Sequence, residues 1–256
     1  MIMAINPFLM LSGIGMMVVA VAAMLYWRVK TGTKWKFFLA GAGVWLVAIF
    51  VKALMDLTIT MPLQQWMFAA GGIAGALLGI GLYAGLRTGL LESGLSYITV
   101  LKTTLKKMKY KDAMAFGIGF GVFEALVIGF STFLNVFIFV LMPEIIATLP
   151  MDIQAIILEQ LSVSTLFIIP AIIERAAAIL IHAFAGILVV YAVRSRKLKY
   201  LWYSVIYKTV VDGIIPVLVV TLQPGTLTGA YLIEIPFILL GLVGYFGILW
   251  MSKKRW

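Results

Sequence analysis

Residues 163–193 read VSTLFIIPAIIERAAAILIHAFAGILVVYAV, and this stretch decides the fold. A helix needs about 20 mostly apolar residues to cross the hydrocarbon core of a bilayer. This run exceeds that length, and Glu174, Arg175 and His182 are islands within it. Working outward, six more runs of the same character lie at 6–27, 37–57, 66–87, 112–142, 199–221 and 229–251. Transmembrane strands would give short alternating segments instead. The sequence therefore predicts an all-α, polytopic membrane helix bundle of seven spans, a single domain over residues 1–256.

Composition agrees. Of 256 residues, 63% are hydrophobic and 12% charged. Soluble domains average about 45–50% apolar and about 25% charged residues. A soluble globular enzyme and a disordered chain are both excluded. Cysteine is absent, which removes disulfides, thiolate nucleophiles and thiolate metal sites.

The net charge of +10 would suggest nucleic acid in a soluble protein. Here the positions of the charges matter more than their sum. Arg28, Lys30, Lys34 and Lys36 follow span 1. Arg87, Lys102, Lys106, Lys107, Lys109 and Lys111 follow span 3. Arg194, Arg196, Lys197 and Lys199 follow span 5, and Lys253, Lys254 and Arg255 follow span 7. The N-terminus and the loops 58–65, 143–162 and 222–228 carry no Lys or Arg. By the positive-inside rule this alternation puts the N-terminus outside and the C-terminus in the cytoplasm of a multi-pass cell-membrane protein. The expected partners are membrane lipids, with no nucleic acid. Met1–Asn6 lacks a basic n-region, so span 1 reads as a retained helix and not a cleaved signal.

Residues 88–111 combine Leu90, Leu91, Leu95, Ile98, Leu101 and Leu105 with late lysines. They read as an amphipathic cytoplasmic helix, or as span 3 continued through the headgroups, whose lysines meet anionic lipid. Residues 143–162 read as a short outer interfacial helix. In span 3, Gly71, Gly75 and Gly79 are spaced for close helix packing.

Lys52, Arg175 and Lys208 lie inside spans, together with Asp56, Glu124, Glu174, His182 and Asp212. A charge at the bilayer centre costs about 2.5–3.5 kcal/mol on insertion scales, so such groups face the bundle interior and pair. Lys52–Asp56 and Lys208–Asp212 are spaced i,i+4. At about 1.5 Å per residue, Glu124, His182, Lys208 and Asp212 fall at similar depth on three spans. One shared polar site is expected there, and Lys52–Asp56 is expected to be a separate structural pair. Pro170 and Pro216 free backbone carbonyls beside this cluster.

Several chemistries find little support. A zinc site usually needs three N, O or S ligands. One histidine and no cysteine would leave His182 with two carboxylates, and Lys208 would repel the ion. Neither a metal nor another cofactor is expected. Ser93, Ser96, Ser131 and Ser204 carry no nucleophile motif. Gly117-Ile-Gly-Phe-Gly121 lies inside an apolar span, so it reads as a packing surface and not a phosphate loop. Water activation by a buried carboxylate, with His or Lys stabilising an oxyanion, is the chemistry these residues best permit.

The chain resembles the YhfC family of intramembrane proteases, related to the CAAX-processing proteases and to PrsW. The strongest part is Glu174-Arg175 followed by His182, then the basic turn Arg194 to Lys199 and a span containing Asp212. Gly117-Ile-Gly-Phe-Gly-Val-Phe-Glu124-Ala is similar to a family segment Gly-x-Gly-His-Gly-Gly-x-Glu-Ala. Gly89-Leu-Leu-Glu92-Ser-Gly-Leu-Ser lies on a Glu-Glu-x-x-Arg segment. The departures are Ser93 for the second glutamate, Ser96 for the arginine, Phe120 for one histidine and Lys208 for another. The resemblance implies a glutamic-type peptidase in which Glu92 activates water and His182 assists. Glu124 belongs to the same catalytic set, and Glu174, Arg175, Lys208 and Asp212 form the supporting polar cluster. Three readings stand at this point. One is a peptidase acting on a membrane protein or peptide. Another is an inactive relative whose cavity binds a helix, lipid or small solute. The last is an ion-coupled transporter.

Overall fold

The computed structural model describes residues 5–256. Among the described residues there are helices and no strands. The elements are α1 (Met10–Thr31), α2 (Trp35–Met55), α3 (Met61–Lys102), α4 (Tyr110–Leu141), α5 (Glu144–Ala147), α6 (Met151–Leu161), α7 (Ile168–Ser195), α8 (Lys199–Gly213), α9 (Ile215–Leu222) and α10 (Leu227–Ser252). The surface is that of a bundle dissolved in lipid. Leu39, Leu57 and Leu78 point outward with 67%, 82% and 70% of their surface exposed, while charged side chains such as Glu92 and Lys208 are buried. Helices suit this solvent because every backbone polar group is satisfied within its own segment.

Among the described residues six helical runs are long and apolar enough to cross a membrane. The longest of them, Trp35–Lys102, doubles back on itself. Gly72 has φ +58° and ψ −158°, a non-helical conformation that glycine adopts without a Cβ clash. Across that point the two arms pair antiparallel. Gly79 faces Met67, Thr60 bonds Tyr83, Asp56 meets Arg87 and Lys52 meets Glu92.

This hairpin corrects the sequence reading in several places. Residues 58–65 are not a loop: a π-helical turn, Asp56–Thr60, joins α2 to α3 and the helix continues to the reversal at Gly72. The second arm then runs to Lys102, so residues 88–102 continue span 3, the second of the two expected arrangements. The connection that remains is a 3-10 turn at Thr104–Lys107. Arg87 consequently lies inside the bundle and pairs with Asp56. The expected Lys52–Asp56 pair does not form, because each residue finds its partner on the opposing arm. Hydropathy cannot see this, since a reversal made by one glycine between apolar arms leaves no polar gap. Elsewhere, residues 143–162 form α5 and α6. Span 6 breaks between α8 and α9, where Pro216 opens the second piece.

α7 is the axis. It touches α1, α3, α4, α8 and α10, and residues 181–190 are almost entirely buried. Glycines let the backbones approach it and one another. A Cβ on Gly186 would sit 2.7 Å from the Gly117 Cα, and a Cβ on Gly121 would sit 3.1 Å from the His182 Cβ. Gly119 abuts the backbone of Phe38 on α2. The Gly117–Gly121 segment is thus a packing surface, and it brings Glu124 over His182. In α3 the tight glycines are Gly81, Gly85 and Gly89, which face Val205, Thr209 and Gly213 of α8. The expected stripe is not the one used, for Gly71 and Gly75 face open space.

Gly85→Leu would drive a side chain into the Thr209 backbone of α8. It should cost about 1–3 kcal/mol, as overpacking does, read as earlier thermal unfolding in lipid nanodiscs. Gly71→Ala should leave unfolding unchanged.

Candidate active site

The intramembrane charges converge on one cavity. α2 supplies Trp45 and Lys52, α3 supplies Thr88 and Glu92, and α4 supplies Glu124. α7 supplies Glu174, Arg175 and His182, and α8 supplies Lys208 and Asp212. The cavity holds about 540 Å³, and apolar side chains such as Ile49, Val127 and Phe237 complete its wall.

Within it the side chains form a continuous hydrogen-bonded chain in which cations and carboxylates alternate and His182 is the link between Lys208 and Glu124. Lys52 donates to one Glu92 oxygen and Lys208 to the other. Lys208 Nζ also stands 3.0 Å from His182 Nδ1. His182 Nε2 is 3.1 Å from Glu124 Oε2, an oxygen that also accepts from Trp45 Nε1 at 2.9 Å. Arg175 donates to Glu124 Oε1 at 2.8 Å and turns its other terminal nitrogen to Glu174. An ammonium has three donors and no acceptor. His182 Nδ1 must therefore accept from Lys208, which leaves the ring hydrogen on Nε2, pointing at Glu124. Phe120 stacks on the imidazole at 4.8 Å between centroids, and Lys208 Nζ lies 4.1 Å above the Phe120 ring. Ring and ammonium together hold the histidine in one orientation.

The sequence-level grouping of Glu124, His182 and Lys208 is a set of direct contacts. Asp212 lines the same cavity next to Thr88, but Lys208 turns from it to Glu92 and His182. Glu92, matched loosely by sequence, stands at the centre of the network with 3% of its surface exposed. Glu174 and Arg175 are at the site as expected. Trp45 is a participant that sequence reasoning left out, and Lys52 is one that it placed in a separate pair with Asp56. Their signal was the spacing of Trp45 and Lys52, two turns apart on one face of α2, so that both reach the same cavity. Ser93 and Ser204 are spent on packing contacts, since they bond each other at 2.9 Å and Ser204 bonds the Ala185 carbonyl, while Ser131 lines the cavity wall.

The sequence profile of a family described as YhfC intramembrane metalloprotease matches residues 15–237. The chain belongs to the YhfC family. The match extends well beyond the segment from span 3 to span 6 that carries the motif resemblance, and it takes in Trp45 and Lys52. With the apolar helices, it makes this a multi-pass membrane protein of an intramembrane protease family. No curated protein and no solved structure matches the chain.

The family description names a metal, and the residues here do not suit one. Among the described residues no group of three His, Cys, Asp or Glu side chains is placed to hold an ion. The imidazole has one free lone pair, on Nδ1, and an ammonium is bonded to it. Glu92, the carboxylate beside that nitrogen, carries an ammonium on each oxygen. A divalent ion would have to displace a tethered cation and then sit among Lys52, Lys208 and Arg175. No chemical step is assigned to a metal.

Removing the central carboxylate should be costly. Glu92→Gln removes the carboxylate that both ammonium groups are bonded to and should cost about 3–5 kcal/mol. The double variant Glu92→Gln/Lys208→Met should recover part of that loss. Thermal unfolding of the single and double variants in nanodiscs measures the difference.

Proposed function

We propose that this chain is a membrane-embedded peptidase of the cell membrane that cuts peptide bonds with the Glu124–His182 pair. One observation carries the reading: this carboxylate and imidazole are bonded to each other at the wall of a cavity of about 540 Å³. Peptidase function needs a general base with room for water, and Glu124 meets that need better than Glu92. Its side chain is 17% exposed, against 3% for Glu92. Glu92 then serves as the anchor of Lys52 and Lys208.

In this scheme a water in the cavity bonds to Glu124. Its oxygen attacks the substrate carbonyl carbon while its proton passes to the Glu124 carboxylate. Arg175 faces the negative charge that develops on the carbonyl oxygen, a role in which a fixed donor is most effective in a water-poor site. The C–N bond then breaks, and Glu124 returns the proton to the leaving nitrogen. His182 is a positioning residue whose Nε2–H aims the carboxylate. A carbonyl within an intact transmembrane helix is already hydrogen-bonded, so the substrate is an unwound or terminal segment of a membrane protein or peptide.

A second reading has a specific observation behind it. Phe120 and Lys208 stand where the resembled pattern has histidines, and Lys208 holds the His182 lone pair. On that reading the chain binds a membrane-borne ligand in the cavity without turnover.

Purified protein in liposomes, offered membrane-spanning peptides and monitored for fragments by mass spectrometry, separates the two. The peptidase account expects cleavage by the wild type. It also expects a loss of about 10²–10⁴-fold in Glu124→Gln, the usual worth of a general base, measured on the fraction of the variant that remains folded. Peptide retention with no product from the wild type would establish the binding account instead.

A further inference from the structure

We propose that Lys208 is the resident cation of this site: its ammonium occupies the point between Glu92 and His182 that a metal ion would need, so the chain assembles its polar centre without a metal. The inference rests on contacts around one atom and holds whether or not peptides are cut.

Lys208 Nζ meets a Glu92 oxygen, meets His182 Nδ1 at 3.0 Å, and lies 4.1 Å over the Phe120 ring. A carboxylate oxygen and an imidazole nitrogen lone pair converging on one point are ligands for a cation. Here the cation is covalently attached, and it is 4% exposed. The third face of the point is Phe120, a π-surface that attracts an ammonium but cannot bond a metal ion as an imidazole would. The remaining Glu92 oxygen is held by Lys52, so a divalent ion would find neither a vacant site nor the ligands to fill its coordination.

The positions also explain each other. Phe120 lies in the glycine-rich segment of α4 and Lys208 lies on α8, and both flank His182 of α7 in space. Each is one of the positions where this sequence departs from the histidines of the pattern it resembles. The two departures are adjacent, and together they make an ammonium pocket. Lysine without the aromatic face, or the aromatic face without the lysine, would leave the cation or the ring poorly partnered.

The chain has a single histidine, which makes the test direct. Full-length protein labelled with ¹⁵N-histidine gives one imidazole, seen by nitrogen NMR in nanodiscs. The expected result for the wild type is hydrogen on Nε2, a bare Nδ1, and signals unmoved by excess Zn²⁺, with no stoichiometric metal in the purified protein by elemental analysis. In Lys208→Ala the Nδ1 signal should shift and should respond to added Zn²⁺ or ethylammonium, both of which can enter the opened hole. A wild type purified with one equivalent of metal bound through Nδ1 would overturn the proposal, and so would a Zn²⁺-responsive wild type. A folded Lys208→Ala whose imidazole ignores both cations would overturn it as well. If that variant does not fold, the wild-type spectra decide the question alone.

Discussion

Glu92 sits between two ammonium groups inside a bundle whose outer surface is hydrocarbon, and that placement constrains everything around it. A lone carboxylate there would be prohibitively costly, and so would either lysine. Each is stable because the others are within hydrogen-bond distance. To bring them there, α2 must turn back along α3, and α3 must lie close against α8. The reversal at Gly72 provides the first condition. The glycines at 81, 85 and 89 provide the second. From Lys208 the same logic passes through His182 to Glu124 and Arg175. The alternation of sign along that chain is what lets so many ionisable groups share one interior.

The network also fixes the chemistry that the site can offer. Because Lys208 donates to Nδ1, the imidazole hydrogen is directed at Glu124, and Trp45 and Arg175 complete the hold on that carboxylate. Few of these groups can rotate without breaking a charged bond in a low-dielectric setting. This is the preorganisation that a hydrolytic site needs, since its donors are aimed before the substrate arrives. It equally suits a binding cavity. What separates the two is whether a water on Glu124 can reach a substrate carbonyl.

The sequence made the lipid-facing helices legible because hydropathy is a local property, and residues 163–193 alone imply the class. It also made Glu124, His182, Lys208 and Asp212 legible as one group, because depth along a span follows from residue count; the pairing of Lys208 with Glu92 instead of Asp212 was not legible. What it did not reveal was pairing across the hairpin. Lys52 and Asp56 look like partners at i,i+4, yet Glu92 and Arg87 lie within reach on the opposing arm, and each residue pairs across the hairpin. Where the arms reverse was equally hidden. A φ of +58° at Gly72 has no signature beyond a glycine pair in an apolar run. For the same reason, residues 88–111 read either as a surface helix or as span 3 continued, because period and composition cannot distinguish polar side chains turned into the bundle, such as Glu92 and Ser96, from a face turned to water. The structural meaning of Phe120 and Lys208 likewise needed three helices in place, since each departure from the family pattern is intelligible only beside the other.

The central claim is that a tethered ammonium and a Glu–His pair share one hydrated cavity. The most direct test is an experimental structure in lipid at a resolution that locates water, examined around His182. The account predicts Lys208 Nζ bonded to both Glu92 and His182 Nδ1, and an ordered water on Glu124 within the cavity. Lys208 turned to Asp212, with Glu124 sealed in a dry core or a metal ion on His182, would contradict it.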